Sequence, residues 1–469
     1  MSRRGRSRAN ANASTVEIAE IEDLSHEGRG VARAANQFSH QTTAHAPGKA
    51  PGKALFIDDA LPGERVEWSY TKRGRNFDEG RLVKVLQPSP DRVEPRCIHF
   101  GICGGCSLQH LASQRQIEFK QKQLMDSLSR IGRVTPGQIL PPLQSAVWNY
   151  RRRARLAARW VPKKNRVVVG FRERATSYIA DLQRCEVLTP PLDGLLPALS
   201  NLLTSLSIRN RVPQIEASVA DGAVALVIRV LEPLTAADLE HLAAFERDTV
   251  FADTAVQIFL QPGGYETVAP LHAQPAPPPL KYRLPASDVE LQFLPTDFIQ
   301  VNGPLNELMV ERALALLEPG PDDSVLDLFC GLGNFSLPLA RRARQVVGVE
   351  GEAGLVARAR QNAQRNGLDN TEFFTANLAA ADLAQSLWAQ RRYDKVLLDP
   401  PRAGAQEVLP VVAASGAARV VYVSCHPGTL ARDAGILVNE HGFRLDAAGV
   451  MDMFPHTAHV ESIAVFERA

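Results

Sequence analysis

Six cysteines, at 97, 103, 106, 185, 330 and 425, are spread over 469 residues. A thiolate is both a strong nucleophile and a soft metal ligand, so place along the chain decides which task each can take. Cys97, Cys103 and Cys106 are separated by five and two residues, and Cys185 lies far downstream. Four thiolates suit tetrahedral zinc or an iron–sulfur cluster, and this spacing does not choose between them. Cys425 differs, because it ends an apolar run, RVVYVSC, and precedes His426-Pro427. A cysteine at the carboxyl end of a strand is placed to be a nucleophile, although a lone one in such a run also reads as a small buried hydrophobe. Glu461 opens the last apolar run, SIAVF, as a candidate general base or as a plain solvated strand end. Cys330, inside VLDLFCGLGN, is expected to be structural.

A second group of residues points to a nucleoside. VLDLF (325–329) runs into Gly331-Leu332-Gly333, a turn that lets backbone approach a ligand closely. Any tight strand-to-helix turn can carry two glycines, so the turn alone is weak. The next strand ends at Glu350, where a carboxylate can accept both hydroxyls of a ribose, at nearly the spacing found in dinucleotide folds. Asn-Phe-Ser follows Gly333 where a dinucleotide fold would carry a third glycine. A nucleoside without a pyrophosphate, such as S-adenosylmethionine, therefore fits better than NAD, with Asn334 as a further polar contact. Asp399-Pro400-Pro401-Arg402 ends another strand; the two prolines force a rigid, extended exit that aims the carboxylate at the same edge. Such an Asp-Pro-Pro suggests a methyltransferase acting on a base.

These residues need a sheet to bring them together. VLDLF, QVVGVE (345–350), KVLLD (395–399) and RVVYVS (419–424) are apolar strands bounded by Gly or Pro and separated by helix-like segments. That pattern predicts a doubly wound parallel α/β sheet of the Rossmann-like kind over 286–469. Earlier in the chain, a solvated basic tail (1–14) precedes short strands with turn signals over 15–88, which read as a small β-barrel. Residues 41–54 look like a loop inserted in it. An α+β segment with no nucleotide loop of its own covers 89–285, with a Pro-rich stretch at 273–280.

Composition bounds the rest. At 45% hydrophobic and 22% charged residues the chain is neither disordered nor fibrous nor a small disulfide scaffold. No window supplies the ~18–20 apolar residues of a membrane span, and the basic start lacks the apolar core of a secretory signal, so a cytoplasmic location is expected. Net charge is only +2. Yet between Trp148 and Arg174 ten Lys/Arg face a single Glu, a local +9, with Trp148, Tyr150, Trp160 and Phe171 interleaved. Cations for phosphates and rings for unpaired bases predict an RNA surface there.

Taken in order, FIQVN (298–302), DLFCGLGNF (327–335), DPPRAG (399–404), VSCHP (423–427) and FPHTAHVE (454–461) resemble the signatures of the RNA uracil-5-methyltransferases, over nearly the whole chain. With the N-terminal strands and the cysteine loop, the resemblance is greatest to the branch that acts on 23S ribosomal RNA. It implies that Cys425 adds to C6 of uracil and that Glu461 removes the C5 proton. Gln300, Phe329, Asn334, Glu350, Asn377 and Asp399 would then contact S-adenosylmethionine, Asp399 also touching the base. It further implies a [4Fe–4S] cluster on Cys97, Cys103, Cys106 and Cys185, bracing the central domain, and an OB-like TRAM domain over 15–88 with Lys72, Arg73 and Arg75 on a loop. The partner would be a single-stranded or looped RNA segment with a flipped uridine, bound by a monomer away from any membrane. Two other readings stay open: a methyltransferase for another uridine in 23S or transfer RNA, and a non-catalytic iron–sulfur RNA-binding factor. His426 stands where the family pattern has Asn.

Overall fold

The computed structural model describes residues 16–33, 53–251 and 253–468; the expected basic tail, and all but the last two residues of the expected insertion at 41–54, lie outside the described residues. The chain divides into two compact units, Met1–Pro95 with Ser107–Arg115, and Arg96–Cys106 with Gln116–Ala469.

In the first unit β1 (Val16–Glu20), β2 (Asp23–Leu24), β3 (Gly30–Arg33), β4 (Ala54–Asp58), β5 (Arg65–Arg73) and β6 (Phe77–Gln87) form one sheet in the order β1-β5-β6-β4-β3-β2. Alternation buries Leu55 and Ile57 on β4 and Val66 and Trp68 on β5. Gly80 on β6 is required by that core, because a Cβ there would lie 2.4 Å from the Trp68 ring. Glu64, fully buried, is held by Arg92 at 2.6 and 2.8 Å and by the Leu61 and Ser89 amides. Such a paired carboxylate avoids the cost of a lone buried charge.

The second unit begins with most of α1 (Ser113–Ser127) and the short β7 (Gln138–Ile139). Next come β8 (Arg153–Val161), β9 (Arg166–Gly170), α2 (Leu196–Ser205), β10 (Gln214–Ala220), β11 (Ala223–Arg229), α3 (Ala236–Asp248), β12 (Val250–Phe251), β13 (Thr254–Gln261) and β14 (Ala269–Pro270). They build a sheet in the order β12-β13-β11-β10-β8-β9, with β14 on β13. A hairpin, β15 (Leu280–Leu284) and β16 (Val289–Phe293), leads to α4 (Gly303–Leu317).

The remaining chain alternates strand and helix: β17 (Ser324–Leu328), α5 (Ser336–Ala340), β18 (Gln345–Glu350), α6 (Ala353–Arg365), β19 (Thr371–Thr375), β20 (Lys395–Leu398), α7 (Leu409–Ala414), β21 (Arg419–Ser424) and α8 (Pro427–His441), then β22 (Phe443–Met451) and β23 (Glu461–Arg468). Their sheet runs β19-β18-β17-β20-β21-β23-β22-β7. The first five strands are parallel, and β23 enters antiparallel to both neighbours. β17 is buried along its whole length, as an inner strand covered on both faces must be. The Rossmann-like expectation for 286–469 holds, and β7, from far upstream, extends its edge.

Candidate active site

Strand register assembles the site. β21 and β23 pair with Val423 opposite Ile463 and Ser424 opposite Ser462. One more residue of the same register sets Cys425 opposite Glu461, and directly facing residues of an antiparallel pair have Cβ atoms about 4.5–5.5 Å apart. In the parallel part, Leu328 is level with Val349 and Leu398, and Leu398 with Tyr422. Phe329, Glu350, Asp399 and Cys425 therefore emerge together at the carboxyl edge, where open α/β sheets bind ligands.

Three acids meet there. Burial first, then the charge of Asp399, pushes Glu461 up to about 8, while Lys120 and Arg402 oppose the rise. Burial pushes Asp399 up to about 7. The Cys425 thiol is pushed up to about 12 by burial and by Glu461 and Asp399, against Arg402. The crevice thus holds protons near neutral pH, and the three groups titrate as a set. Cys425 is only half-buried and so open to a substrate, whereas Glu461 is 7% exposed.

Two loops fix these groups. Residues 402–405 are pinned to α8: Thr429 Oγ1 donates to Arg402 O (3.2 Å), Arg432 to Ala403 O (2.9 Å), and the Ala405 N–H to Asp433 Oδ2 (2.7 Å), which also accepts from Tyr422 OH (2.7 Å). Gly404 has φ +87°, and a Cβ would come within 2.5–2.7 Å of the Arg432 and Asp433 side chains. His426 caps α8, its Nδ1 accepting the Thr429 N–H at 3.2 Å. A ring nitrogen here does what an Asn side-chain oxygen does at a helix start, so the departure at 426 keeps the cap. The loop 452–460 is held by Lys120, which pairs with Asp452 Oδ1 (2.7 Å) and donates to Phe454 O (2.9 Å). Gln116 Oε1 accepts the His456 N–H (2.8 Å) and Tyr150 OH donates to Pro455 O (3.1 Å).

The expected cofactor residues are placed unequally. Gly331 has φ +55° and open space where a Cβ would point. Glu350 faces that turn, but its carboxylate already accepts the N–H groups of Gly331 (3.1 Å), Gly351 (2.7 Å) and Glu352 (3.1 Å). A carboxylate has about four acceptor sites, so Glu350 keeps room for a ligand hydroxyl beside these three N–H groups. Asn334 is likewise engaged within the protein. Its amide pairs both ways with Asn306 (2.9 and 3.0 Å) and accepts from Tyr282 OH (3.0 Å), bracing the glycine turn against α4. Phe329, with φ +64°, follows β17. Asn377 is exposed, and the Gln300 carbonyl accepts from Arg152 Nε at 2.9 Å. A groove of about 450 Å³ along α6, lined by Phe259, Pro278 and Arg358, contains none of these residues.

The cysteine loop packs into the core of the β8–β13 sheet, where half-buried Cys103 and Cys106 join buried Cys185. Burial pushes the Cys185 thiol up to about 11 and raises that of Cys103, and both feel the charge of Cys97. Among the described residues no group of three or more His, Cys, Asp or Glu is arranged to hold a metal ion. Cys103, Cys106 and Cys185 share one core, and Cys97 is close enough for its charge to act on Cys103 and Cys185.

The basic stretch also needs correction. Strand alternation and tertiary pairing consume much of it: Arg152 is buried over the Tyr282 ring, Arg153 and Arg155 pair with Glu216, and Lys164 and Arg166 pair with Asp181. Arg174 donates to Cys106 O. The rings are spent too, Trp148 stacking on His456 at 3.8 Å and Tyr150 being buried. Arg159, Lys163 and Arg172 stay exposed, with no ion pair among the described residues.

With this geometry in place, comparison with known proteins is decisive. Residues 281–469 match the family model tRNA (Uracil-5-)-methyltransferase. The chain is 55% identical over 448 residues to 23S rRNA (uracil(1939)-C(5))-methyltransferase RlmD of Xanthomonas campestris, covering 96% of each chain. It is 53% identical over 464 residues, 99% of each chain, to the RlmD of Alkalilimnicola ehrlichii. The chain belongs to the RNA uracil-C5 methyltransferase family. The crystal structure of Pyrococcus abyssi tRNA (uracil-54, C5)-methyltransferase, 23% identical, superposes with a TM-score of 0.71 over 96% of this chain and 99% of that one, and so shares its fold.

For a uracil-C5 methyltransferase, sequence reading missed four residues that shape the site. Arg402 and Lys120 are the cations facing Glu461. Asp433 anchors the Asp-Pro-Pro turn. Asp327, fully buried and pushed up to about 7, accepts from Ser336 Oγ under the glycine turn. Arg402 and Asp327 sat inside motifs already singled out. Lys120 and Asp433 had no signal beyond a charged residue on a buried helical stripe.

Proposed function

We propose that this methyltransferase modifies C5 of one uridine in 23S ribosomal RNA through a covalent adduct on Cys425. The observation that carries the reading is that the paired strands β21 and β23 bring Cys425 and Glu461 to one sheet edge, where the charges of Glu461 and Asp399 both act on the thiol; the activity for which the RlmD relatives are named supports the substrate. C5 of uracil is too electron-poor to attack a sulfonium unaided. Addition of the Cys425 sulfur to C6 pushes electrons to C5, splitting one hard step into easier ones. Sulfur attacks as thiolate, its proton having left to water, so that Glu461 stays free to take the C5 proton. S-adenosylmethionine, when bound, supplies the methyl group that C5 takes. The Glu461 carboxylate then accepts the C5 proton, the C5–C6 double bond re-forms, and the C6–S bond breaks to return Cys425.

Phe329, Glu350, Asn377, Asp399 and Gln300 are the proposed cofactor contacts, with Asn334 acting through the turn it braces. The target uridine leaves its stack to reach the crevice. We read 15–88 as a TRAM module, 89–285 as the central domain and 286–469 as the catalytic domain of a cytoplasmic monomer; among the described residues no helix is long and apolar enough to cross a membrane. Cys97, Cys103, Cys106 and Cys185 are the proposed ligands of a structural [4Fe–4S] cluster. Their sharing of one pocket supports it. Iron and sulfide at four each per chain, with a brown absorption band, is the expected outcome; colourless protein loaded with zinc would contradict it.

Transfer of labelled methyl to naked 23S rRNA, with mapping of the modified nucleotide, tests the function. A single 5-methyluridine is expected from the wild type and none from Cys425→Ala. Undiminished incorporation by Cys425→Ala would refute the nucleophile.

A further inference from the structure

Helix α1 lies far upstream of the catalytic sheet in sequence, yet it presents a polar pair to the active-site loop. Its buried stripe is Gln116, Ile117, Phe119, Lys120 and Leu124. Lys120 is 0% exposed, and a methionine or leucine would fill the place without the several kcal/mol it costs to desolvate an ammonium. The charge is met by one carboxylate, Asp452 Oδ1 at 2.7 Å, at the end of β22, and by the Phe454 carbonyl at 2.9 Å. Asp452 and Phe454 begin the loop that returns as β23, whose first residue is Glu461.

We propose that Lys120 is a positioning residue for C5 proton removal, clamping the loop that presents Glu461 and supplying the fixed positive charge against which that carboxylate ionises. The inference rests on the reading of Glu461 as the base and deepens it. The charged groups facing Glu461 are Asp399 and Arg402 from the turn after β20, Cys425 from the end of β21 and Lys120 from α1, with Asp452 behind Lys120. Arg402 is exposed, so water and salt weaken its field. Lys120 is dry, and its charge cannot move away from the loop it holds. Burial and then Lys120 lower His456 to about 4, and burial, Arg402 and Lys120 lower His459. Burial lowers the proton affinity of Lys120 itself, and Asp452 and Glu461 act to raise it, so the ammonium depends on the carboxylates it faces.

A structural clamp and an electrostatic one differ in the pH profile of turnover. Lys120→Met should move the rising limb of kcat up by about one pH unit, a roughly tenfold loss at pH 7 that is recovered at alkaline pH. Asp452→Asn removes the competing anion and should move the limb the other way, to lower pH. Lys120→Arg, which keeps the charge, should restore a near wild-type limb. Opposite shifts support the proposal; superimposable limbs in Lys120→Met and Asp452→Asn overturn it, whatever the loss in absolute rate. Should Lys120→Met fail to fold, the direction of the Asp452→Asn shift decides. The underlying reading fails differently: if Glu461→Gln turns over normally, Glu461 is not the base at all. If Glu461→Gln is inactive and the limbs still coincide, only the role of Lys120 is lost.

Discussion

At the residue scale, the site is a set of acids held short of ionisation. Glu461 must be a carboxylate to accept a proton, and its affinity for protons lies near pH 8. Where proton removal limits turnover, kcat should rise with pH from 6 to about 8 and then level, as stopped-flow or single-turnover methylation would show. The same burial has a stability consequence whose sign follows from linkage. A carboxyl with a raised folded value binds its proton more tightly when folded, so its contribution is present below the unfolded value near 4.3 and is lost as pH rises through about 8. Glu461→Gln, which cannot ionise, should melt at least about 2 °C higher than wild type at pH 8.5 and no higher near pH 4, by calorimetry. An equal effect at both values would show that ionisation is not the cause.

At the element scale, the apolar runs VLDLF, QVVGVE, KVLLD and RVVYVS became β17, β18, β20 and β21 within a residue or so. They were legible because an inner parallel strand is apolar on both faces and stops at Gly or Pro. The nucleophile and base were legible as strand ends. Their juxtaposition was not, because it depends on β23 running antiparallel beside β21, and pairing partners leave no mark on a single strand. Protein partners of polar side chains were equally hidden, such as the pairing of Asn334 with Asn306. The cap at His426 offers a test of local logic. His426→Asn should leave stability within about 0.5 kcal/mol, whereas His426→Ala should cost about 1 kcal/mol, since only the latter leaves the Thr429 N–H uncapped. Denaturant melts with unchanged slopes measure both.

At the scale of the whole molecule, net charge was too coarse and the local +9 too generous. Ion pairs with Glu216 and Asp181 tie four of the ten cations into the scaffold. Arg159, Lys163 and Arg172 remain to meet phosphate. Reversing all three to Glu should weaken RNA binding and lower the slope of log affinity against log salt by at least about 2, at 0.7 per lost contact on single-stranded RNA. Arg153→Ala should instead destabilise the fold, because it removes the more buried of the two arginines that pair with buried Glu216. The proposed mechanism comes to one bond, between the Cys425 sulfur and uracil C6. Glu461→Gln incubated with 23S rRNA and labelled S-adenosylmethionine, then resolved on a denaturing gel, tests it most directly. The account predicts a covalent protein–RNA band that carries the methyl label and disappears when Cys425→Ala is added to the same chain. Free methylated RNA with no such band, or a band that survives Cys425→Ala, would contradict it.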